Sequence, residues 1–342
     1  MLGRLGMTTT DAIAAYHDFA ENIFGWRNRR IISVSPHARE VLEGIKVAPG
    51  KFGTEKLEKI IQNLVEKTGN SEGMLDEEPK ALARAFVCTQ RYDDTGAASL
   101  VMLRSYKLPG KPLSQEFLEQ IHEAPTPADT TQSSSSNAQS STPEDLQPIE
   151  DYTSCKIWEA ARATSAASRF FRPMGIKDSR GQSTLFIDAA LGCNNPVRYV
   201  CTEAAALFGV ERKLGCVLSL GTGLVGTGLI STESGGLVNV VKAVVKHATT
   251  SETTNKEVQA YFGKDTNAYF RLNLPMKKKV KLSDWQAVRS LAKDTATYLE
   301  SREPSAIVDH VVDILLGKHK PKLKLGQAGE QHLRASARQI FD

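Results

Sequence analysis

Three short stretches of this 342-residue chain combine residue types that can do chemistry. Gly69-Asn70-Ser71-Glu72-Gly73 has the G-x-S-x-G spacing of a nucleophile elbow, where a tight strand-to-helix turn lifts a serine hydroxyl above a sheet. Here it follows a helical pattern and precedes the acidic Met74-Leu75-Asp76-Glu77-Glu78-Pro79, a setting that suits a helix stop and a polar turn. Gly221-Thr222-Gly223-Leu224-Val225-Gly226 follows a strand pattern with the G-x-G-x-x-G spacing of a dinucleotide fingerprint. The acidic residue that fingerprint wants about 20 positions on is not found in Val240-Val241-Lys242-Ala243-Val244-Val245-Lys246, so a plain Gly-rich turn competes with the cofactor reading. Asp188 ends a short apolar strand and precedes Ala189-Ala190-Leu191-Gly192-Cys193-Asn194-Asn195-Pro196. The carboxyl end of a strand is where α/β folds place their chemistry. The same aspartate also suits a turn whose backbone N–H groups it accepts from, and both readings stay open.

Other charged residues point less far. Lys277-Lys278-Lys279 with Lys281, and Lys318, Lys320, Lys322 and Lys324, are charge runs that solvation alone explains. Against an anionic lipid surface each cation would contribute about 1 kcal/mol. The seven histidines lack metal-ligand spacing, so no metal and no cofactor is expected.

The elements that must position these residues show in the apolar periodicity. Thr10 is a cap for a helix with Ile13, Tyr16, Ala20, Ile23 and Phe24 on one side. Thr54 caps a second, with Leu57, Ile60, Ile61, Leu64 and Val65 on one face and Gly69 as its stop. Residues 85–88 and 99–103 read as strands, 153–167 as a helix, and 184–187 as the strand before Asp188. Residues 197–208 form a helix stopped by Gly209, 216–220 a buried-type strand, and 283–301 and 304–316 two further helices. Strand–helix alternation with apolar strands predicts an α/β fold with a mostly parallel sheet.

Composition excludes several classes. Forty-three Lys+Arg against 39 Asp+Glu give a net charge of +4, too small a surplus for a nucleic-acid binder. Hydrophobic residues at 41% and charged residues at 24% exclude a chain that is disordered throughout, collagen-like or a disulfide scaffold. The five cysteines, Cys88, Cys155, Cys193, Cys201 and Cys216, are odd in number without a CxxC pair, which predicts reduced thiols inside the cell. Neither a signal peptide nor a membrane span is visible. Residues 124–150, with Ser133-Ser134-Ser135-Ser136, four prolines and no aromatic, are expected to be a disordered insertion.

Five stretches, in order and spacing, resemble the second half of patatin-like phospholipase domains, most of all the fungal type. They are Trp158-Glu159-Ala160-Ala161-Arg162-Ala163-Thr164-Ser165-Ala166-Ala167 with Phe170-Phe171; Phe186-Ile187-Asp188; Asn194-Asn195-Pro196; Glu203-Ala204; and Ser219-Leu220-Gly221-Thr222-Gly223. The resemblance is clear over 150–225 and looser over 1–107 and 269–299. It implies a three-layer α/β acyl hydrolase with a Ser-Asp dyad, acting on lipid or phospholipid acyl esters. Asp188 matches the dyad aspartate, the proton acceptor. The family writes Asp-Gly-Gly or Asp-Gly-Ala there, so Ala189 is expected to strain the loop if that glycine serves an angle only glycine adopts easily. Ser168-Arg169 likewise replaces the usual Ala-Pro-Thr. Gly221 to Gly226 becomes the family's own strand end.

In the family the serine elbow and the Gly-rich oxyanion loop precede a stretch like Met1-Leu2-Gly3-Arg4-Leu5-Gly6-Met7. The expectation is therefore an N-terminally truncated domain whose Asp188 has no nucleophile to activate, hydrolytically inactive as it stands. The expected organisation is 1–123 as the first part of the domain, 124–150 the insertion, 151–230 the core with the Asp motif, 231–316 a helical C-terminal region, and 317–342 a basic tail. A location in the cytoplasm or peripheral on intracellular membranes goes with this, and no nucleic-acid partner. The alternatives are a non-catalytic patatin-like binding or scaffold protein, and a nucleotide-binding enzyme using Gly221 to Gly226.

Overall fold

The computed structural model describes residues 1–25, 52–69, 72–76, 83–92, 98–110, 113–122, 152–168, 170–225, 251–263, 266–277, 280–281 and 283–327. The Ser-rich insertion, Val240 to Lys246, Asn70, Ser71, Lys278 and Lys279 lie outside them. The described residues fall into two compact units. The first draws on 1–107, 141–193 and 281–288, the second on 108–140, 194–280 and 289–342.

The first unit begins with a short helix α1 (Leu2–Leu5) and α2 (Thr9–Phe24). The cap of α2 is Thr8 rather than Thr10: its hydroxyl oxygen accepts from the Asp11 N–H at 3.1 Å and donates to the Asp11 carboxylate at 2.6 Å, a reach only the residue three before Asp11 has. Helix α3 (Thr54–Lys67) carries the predicted stripe, with Leu57, Ile61 and Val65 buried, and ends at Gly69 with φ +64°. Strands β1 (Phe86–Tyr92) and β2 (Ala98–Arg104) follow, then α5 (Ile157–Thr164), β3 (Met174–Lys177) and β4 (Ser183–Asp188). Between β2 and α5 in sequence, α4 (Gln115–His122) belongs to the second unit.

The four strands make one sheet in the order β2-β1-β4-β3, and every pairing is antiparallel. The expectation of a mostly parallel sheet fails here, and for the β1-β2 and β3-β4 pairs the reason is geometric. β1 and β2 are joined through residues 93–97 and β3 and β4 through Asp178–Gln182, whereas a parallel pair needs a crossover of a dozen or more residues. The β3–β4 turn is set by Asp178, whose carboxylate accepts from the Arg180 and Gln182 N–H groups at 2.9 and 2.8 Å, and by Gly181 at φ +82°.

Helix α5 lies across β1, β3 and β4. Its inner face is small, Ala160 and Ala163 being fully buried, so the backbone comes close to the sheet. Phe186 fills the space beside it, with Tyr152 edge-on at 5.1 Å. A second cluster gathers Ile23, Phe52, Leu57, Ile61 and Phe171, each large side chain worth about 1.5–3 kcal/mol of burial. Not all of the α2 stripe is covered: Ile13 and Tyr16 remain 60% and 54% exposed. The first turn is anchored by Arg4, buried, which donates to the carbonyls of Met74 at 2.9 Å and Gly73 at 2.7 Å.

The second unit contains α4, α6 (Val197–Phe208), β5 (Val217–Leu220), β6 (Leu224–Val225), a helix α7 over residues 251–262, β7 (Tyr269–Leu272), β8 (Pro275–Met276), α8 (Val288–Leu299, whose first residue falls in the first unit) and α9 (Arg302–Leu315). Among the described residues, parallel pairing occurs only here, as the two-stranded β5-β7 and β6-β8. The core joins Phe117 and Ile121 of α4, Cys201 and Ala205 of α6, and Val258, Tyr261 and Phe262 of α7. Leu323 and Leu325 join it too, so the chain docks on this core just after the exposed stretch that carries Lys318, Lys320 and Lys322. No helix among the described residues is long and apolar enough to cross a membrane.

Candidate active site around Asp188

Strand β4 delivers Asp188. Phe186 and Ile187 bury their side chains completely and fix the strand's register, with Thr89 of β1 paired to Asp188 itself. The Thr89 hydroxyl, also buried, donates to the Ile187 carbonyl at 2.6 Å. On the other side the Asp188 N–H donates to the Ala166 carbonyl at 3.2 Å, just past the end of α5. That helix is itself pinned: Glu159 accepts from the Lys156 N–H at 2.8 Å at its start, and the Thr164 hydroxyl donates to the Cys88 carbonyl at 2.7 Å at its end. The Trp158–Ala167 stretch thus acts as the brace that sets the Asp188 backbone.

Beyond Asp188 the chain turns into a 3-10 helix, Ala189–Leu191. Asp188 caps it, Oδ1 accepting from the Ala190 N–H at 2.7 Å. Oδ2 makes no hydrogen bond and is not sealed from solvent, and no cation pairs with Asp188 among the described residues. Burial pushes its carboxyl above the ordinary aspartate value of 3.8, and the Ala190 N–H pulls part of the way back. The expectation of strain at Ala189 is not met. Among the described residues the one non-glycine at positive φ is Asn267, and Ala189 sits buried in ordinary 3-10 geometry.

The raised value makes a pH prediction. In the unfolded chain Asp188 ionises near 3.8, whereas in the fold it holds its proton to higher pH. Between those two values the unfolded state binds fewer protons, so stability falls as pH rises through the window and is level above it. Asp188→Asn keeps the acceptor for Ala190 and removes the charge. Its melting temperature at pH 7 should exceed the parent's, with the difference shrinking below pH 3.8. A melting series in which the variant is the less stable protein at pH 7 would count against a desolvated carboxylate.

The other motifs go elsewhere. Of the G-x-S-x-G pentapeptide, Gly69 ends α3, and Glu72 and Gly73 support the start of α5. The Glu72 carbonyl accepts from the Ile157 N–H at 2.8 Å, its carboxylate meets Lys156 at 2.8 Å, and Gly73 bridges to Lys156. These flanks have the role of helix stop and polar turn. In the G-x-G-x-x-G stretch, Leu224 and Val225 continue as strand β6 instead of opening a helix. The Gly221 N–H donates to the Leu272 carbonyl at 2.8 Å and the Gly223 N–H to Asn273 Oδ1 at 2.9 Å. The donors a pyrophosphate would need are therefore used within the fold, and Gly226 lies outside the described residues. Asn195 is buried, donating to the Ser251 carbonyl at 3.2 Å and accepting from the Val197 N–H at 3.4 Å, which sets the start of α6. Of the lysines, Lys318 pairs with Asp313 at 2.7 Å and Lys324 with Glu211 at 2.5 Å, while Lys320 and Lys322 are exposed.

Two polar features escape the sequence reading because their partners lie far apart in the chain. Arg162 is fully buried, 3.3 Å from the Glu58 carboxylate through Nε, with Nη2 donating to the Arg172 carbonyl at 2.5 Å and the guanidinium 5.8 Å from the Phe171 ring. The Nε–Glu58 approach is an ion pair without hydrogen-bond alignment, and Nη1 has no partner. In the second unit Arg271 donates to Ser219 Oγ at 2.8 Å, Ser251 Oγ at 3.1 Å and Glu252 Oε1 at 3.1 Å, and Asn273 donates to the same Glu252 oxygen at 3.1 Å. No protein-family model matches the chain, and no curated protein matches it.

Proposed function

We propose that this chain carries the aspartate arm of a patatin-like lipid acyl hydrolase of three-layer α/β type, with the nucleophilic serine and oxyanion loop outside these 342 residues. One observation supports it most. Asp188, at the carboxyl end of a central strand, has one oxygen tied to a backbone N–H and the other unbonded and not fully sealed from solvent, with its proton affinity raised by burial. A general base needs that combination of fixed orientation, free lone pair and pKa moved toward the working pH. With a serine beside Oδ2, Asp188 takes the hydroxyl proton as the oxygen attacks a lipid acyl carbonyl, and backbone N–H groups of the Gly-rich loop hold the developing oxyanion. The substrates are lipid or phospholipid acyl esters, met inside the cell, free or against a membrane surface. The five unpaired cysteines support that compartment. The parallel strand β5 exposes Leu220 at 68%, and such strands are normally covered on both faces, which supports further structure over it.

The test is hydrolysis of a short-chain nitrophenyl ester and of mixed phospholipid vesicles. The chain by itself should show no turnover above buffer. Expressed with the in-frame coding segment upstream of Met1, it should hydrolyse ester, and Asp188→Asn should lower that rate about 10²–10⁴-fold. Turnover by the chain alone that is lost in Asp188→Asn would overturn the external serine. Turnover by the longer protein that Asp188→Asn leaves intact would overturn the role of Asp188.

A further inference from the structure

Cys88 precedes Thr89 in β1, and Thr89 is paired with Asp188. One step further along that antiparallel register, Cys88 stands opposite the point where the chain leaves the sheet at Ala189. The 3-10 turn then folds back, and the Cys193 N–H donates to the Ala189 carbonyl at 2.7 Å. This brings Cys193 over β1, its thiol beside that of Cys88. The turn rides close on the strand throughout: a Cβ added to Gly192 would lie 2.7 Å from Gln90 Nε2. The strand is held in turn by Thr164, whose hydroxyl fixes the Cys88 carbonyl. Both thiols are free, Cys88 half-buried and Cys193 buried.

We propose that Cys88 and Cys193 form a reversible disulfide that clasps the Asp188 turn to strand β1. The oxidant is a small-molecule disulfide such as oxidised glutathione. Cys88, the reachable thiol, attacks one reagent sulfur and expels one thiol. Cys193 then attacks the Cys88 sulfur of the mixed disulfide and expels the second. One S–S bond breaks and one forms, two protein thiols are oxidised, two small thiols are produced, and the two sulfur protons leave with them. The neighbouring Cys88 thiol and burial hold Cys193 in its protonated form, and the high local concentration of its partner offsets the small thiolate fraction. Cys155 and Cys201, buried thiols pushed up to about 12 and without a thiol partner among the described residues, are internal controls.

The clasp stands apart from the hydrolase reading, because its test needs no ester. The full chain is incubated with oxidised glutathione and examined by intact mass and non-reducing peptide mapping. The expected product has lost two hydrogens, carries a Cys88–Cys193 cross-linked peptide, melts about 10 °C higher, and reverts with dithiothreitol. Cys88→Ser and Cys193→Ser should abolish the shift and Cys216→Ser should keep it. Glutathione adducts without an internal cross-link, a cross-link between any other pair, or a cross-link that leaves the melting temperature unmoved would overturn the proposal.

Discussion

Arg162→Ala is expected to destabilise the first unit by about 3–5 kcal/mol, the cavity left by a large buried side chain adding to the loss of a partner for the half-buried Glu58. The guanidinium is fully sealed from solvent, and its loss leaves the half-buried Glu58 carboxylate without its cation and the Arg172 carbonyl without its donor, beside a cavity near Phe171. Burial already pulls the Arg162 pKa downward, with Glu58 pulling it back, so the charge is held at a cost that the pair offsets. Trp158 and Trp285 both lie in the first unit, so tryptophan fluorescence in urea follows the right transition. With a slope of about 2 kcal/mol per molar, the midpoint should fall by roughly 2 M. The double variant Arg162→Met with Glu58→Gln should recover part of the loss, because it leaves no unpaired charge. A single-variant midpoint within experimental error of the parent would mean that the cation is solvated after all.

Gly221→Ala should cost the second unit about 2–4 kcal/mol, the range for overpacking together with a broken, partly buried hydrogen bond. A Cβ there would lie 2.2 Å from Asn273 Oδ1 and 2.3 Å from Asn273 Cγ. Asn273 cannot simply swing away, since it accepts from the Gly223 N–H and donates to Glu252, which also holds Arg271. Far-UV circular dichroism includes the helices of this unit, so its loss shows there beside the fluorescence transition of the first unit. The decisive measurement is a double-mutant cycle with Asn273→Ala. If the glycine exists to admit Asn273, shortening Asn273 should remove about 1–3 kcal/mol of the Gly221→Ala penalty. Additive effects would show that the glycine is needed for some other reason.

Much of the local structure can be read from periodicity. The α6 boundaries, Val197–Phe208, follow from an apolar stripe and from Gly209, which adopts φ +83° where the helix stops. Helix α3 follows in the same way, and β4 ends at Asp188 as its apolar run does. The α2 stripe shows how far such a pattern goes. It marks the apolar side of the helix, but Ile13 and Tyr16 show that an apolar side is not always a covered one. Ala189 carries a second lesson. A glycine expected from a motif is required only where the backbone takes an angle that other residues avoid, and here it does not.

By itself the sequence determined where Asp188 sits at the end of a strand, which helices bracket it, and which motif contexts are wrong for a serine elbow or a dinucleotide loop. Those properties depend on neighbours a few residues apart, through turn chemistry and 3.6- or 2-residue periods. Only the tertiary structure decided that the sheet under Asp188 is antiparallel, that Arg162 pairs with Glu58 across two helices, and that Cys193 returns to Cys88. Strand direction depends on how short connections fold back, and the two side-chain pairs join residues whose separation along the chain carries no local pattern. The sequence places the carboxylate, while packing leaves Oδ2 open, raises its proton affinity and sets a second thiol beside β1.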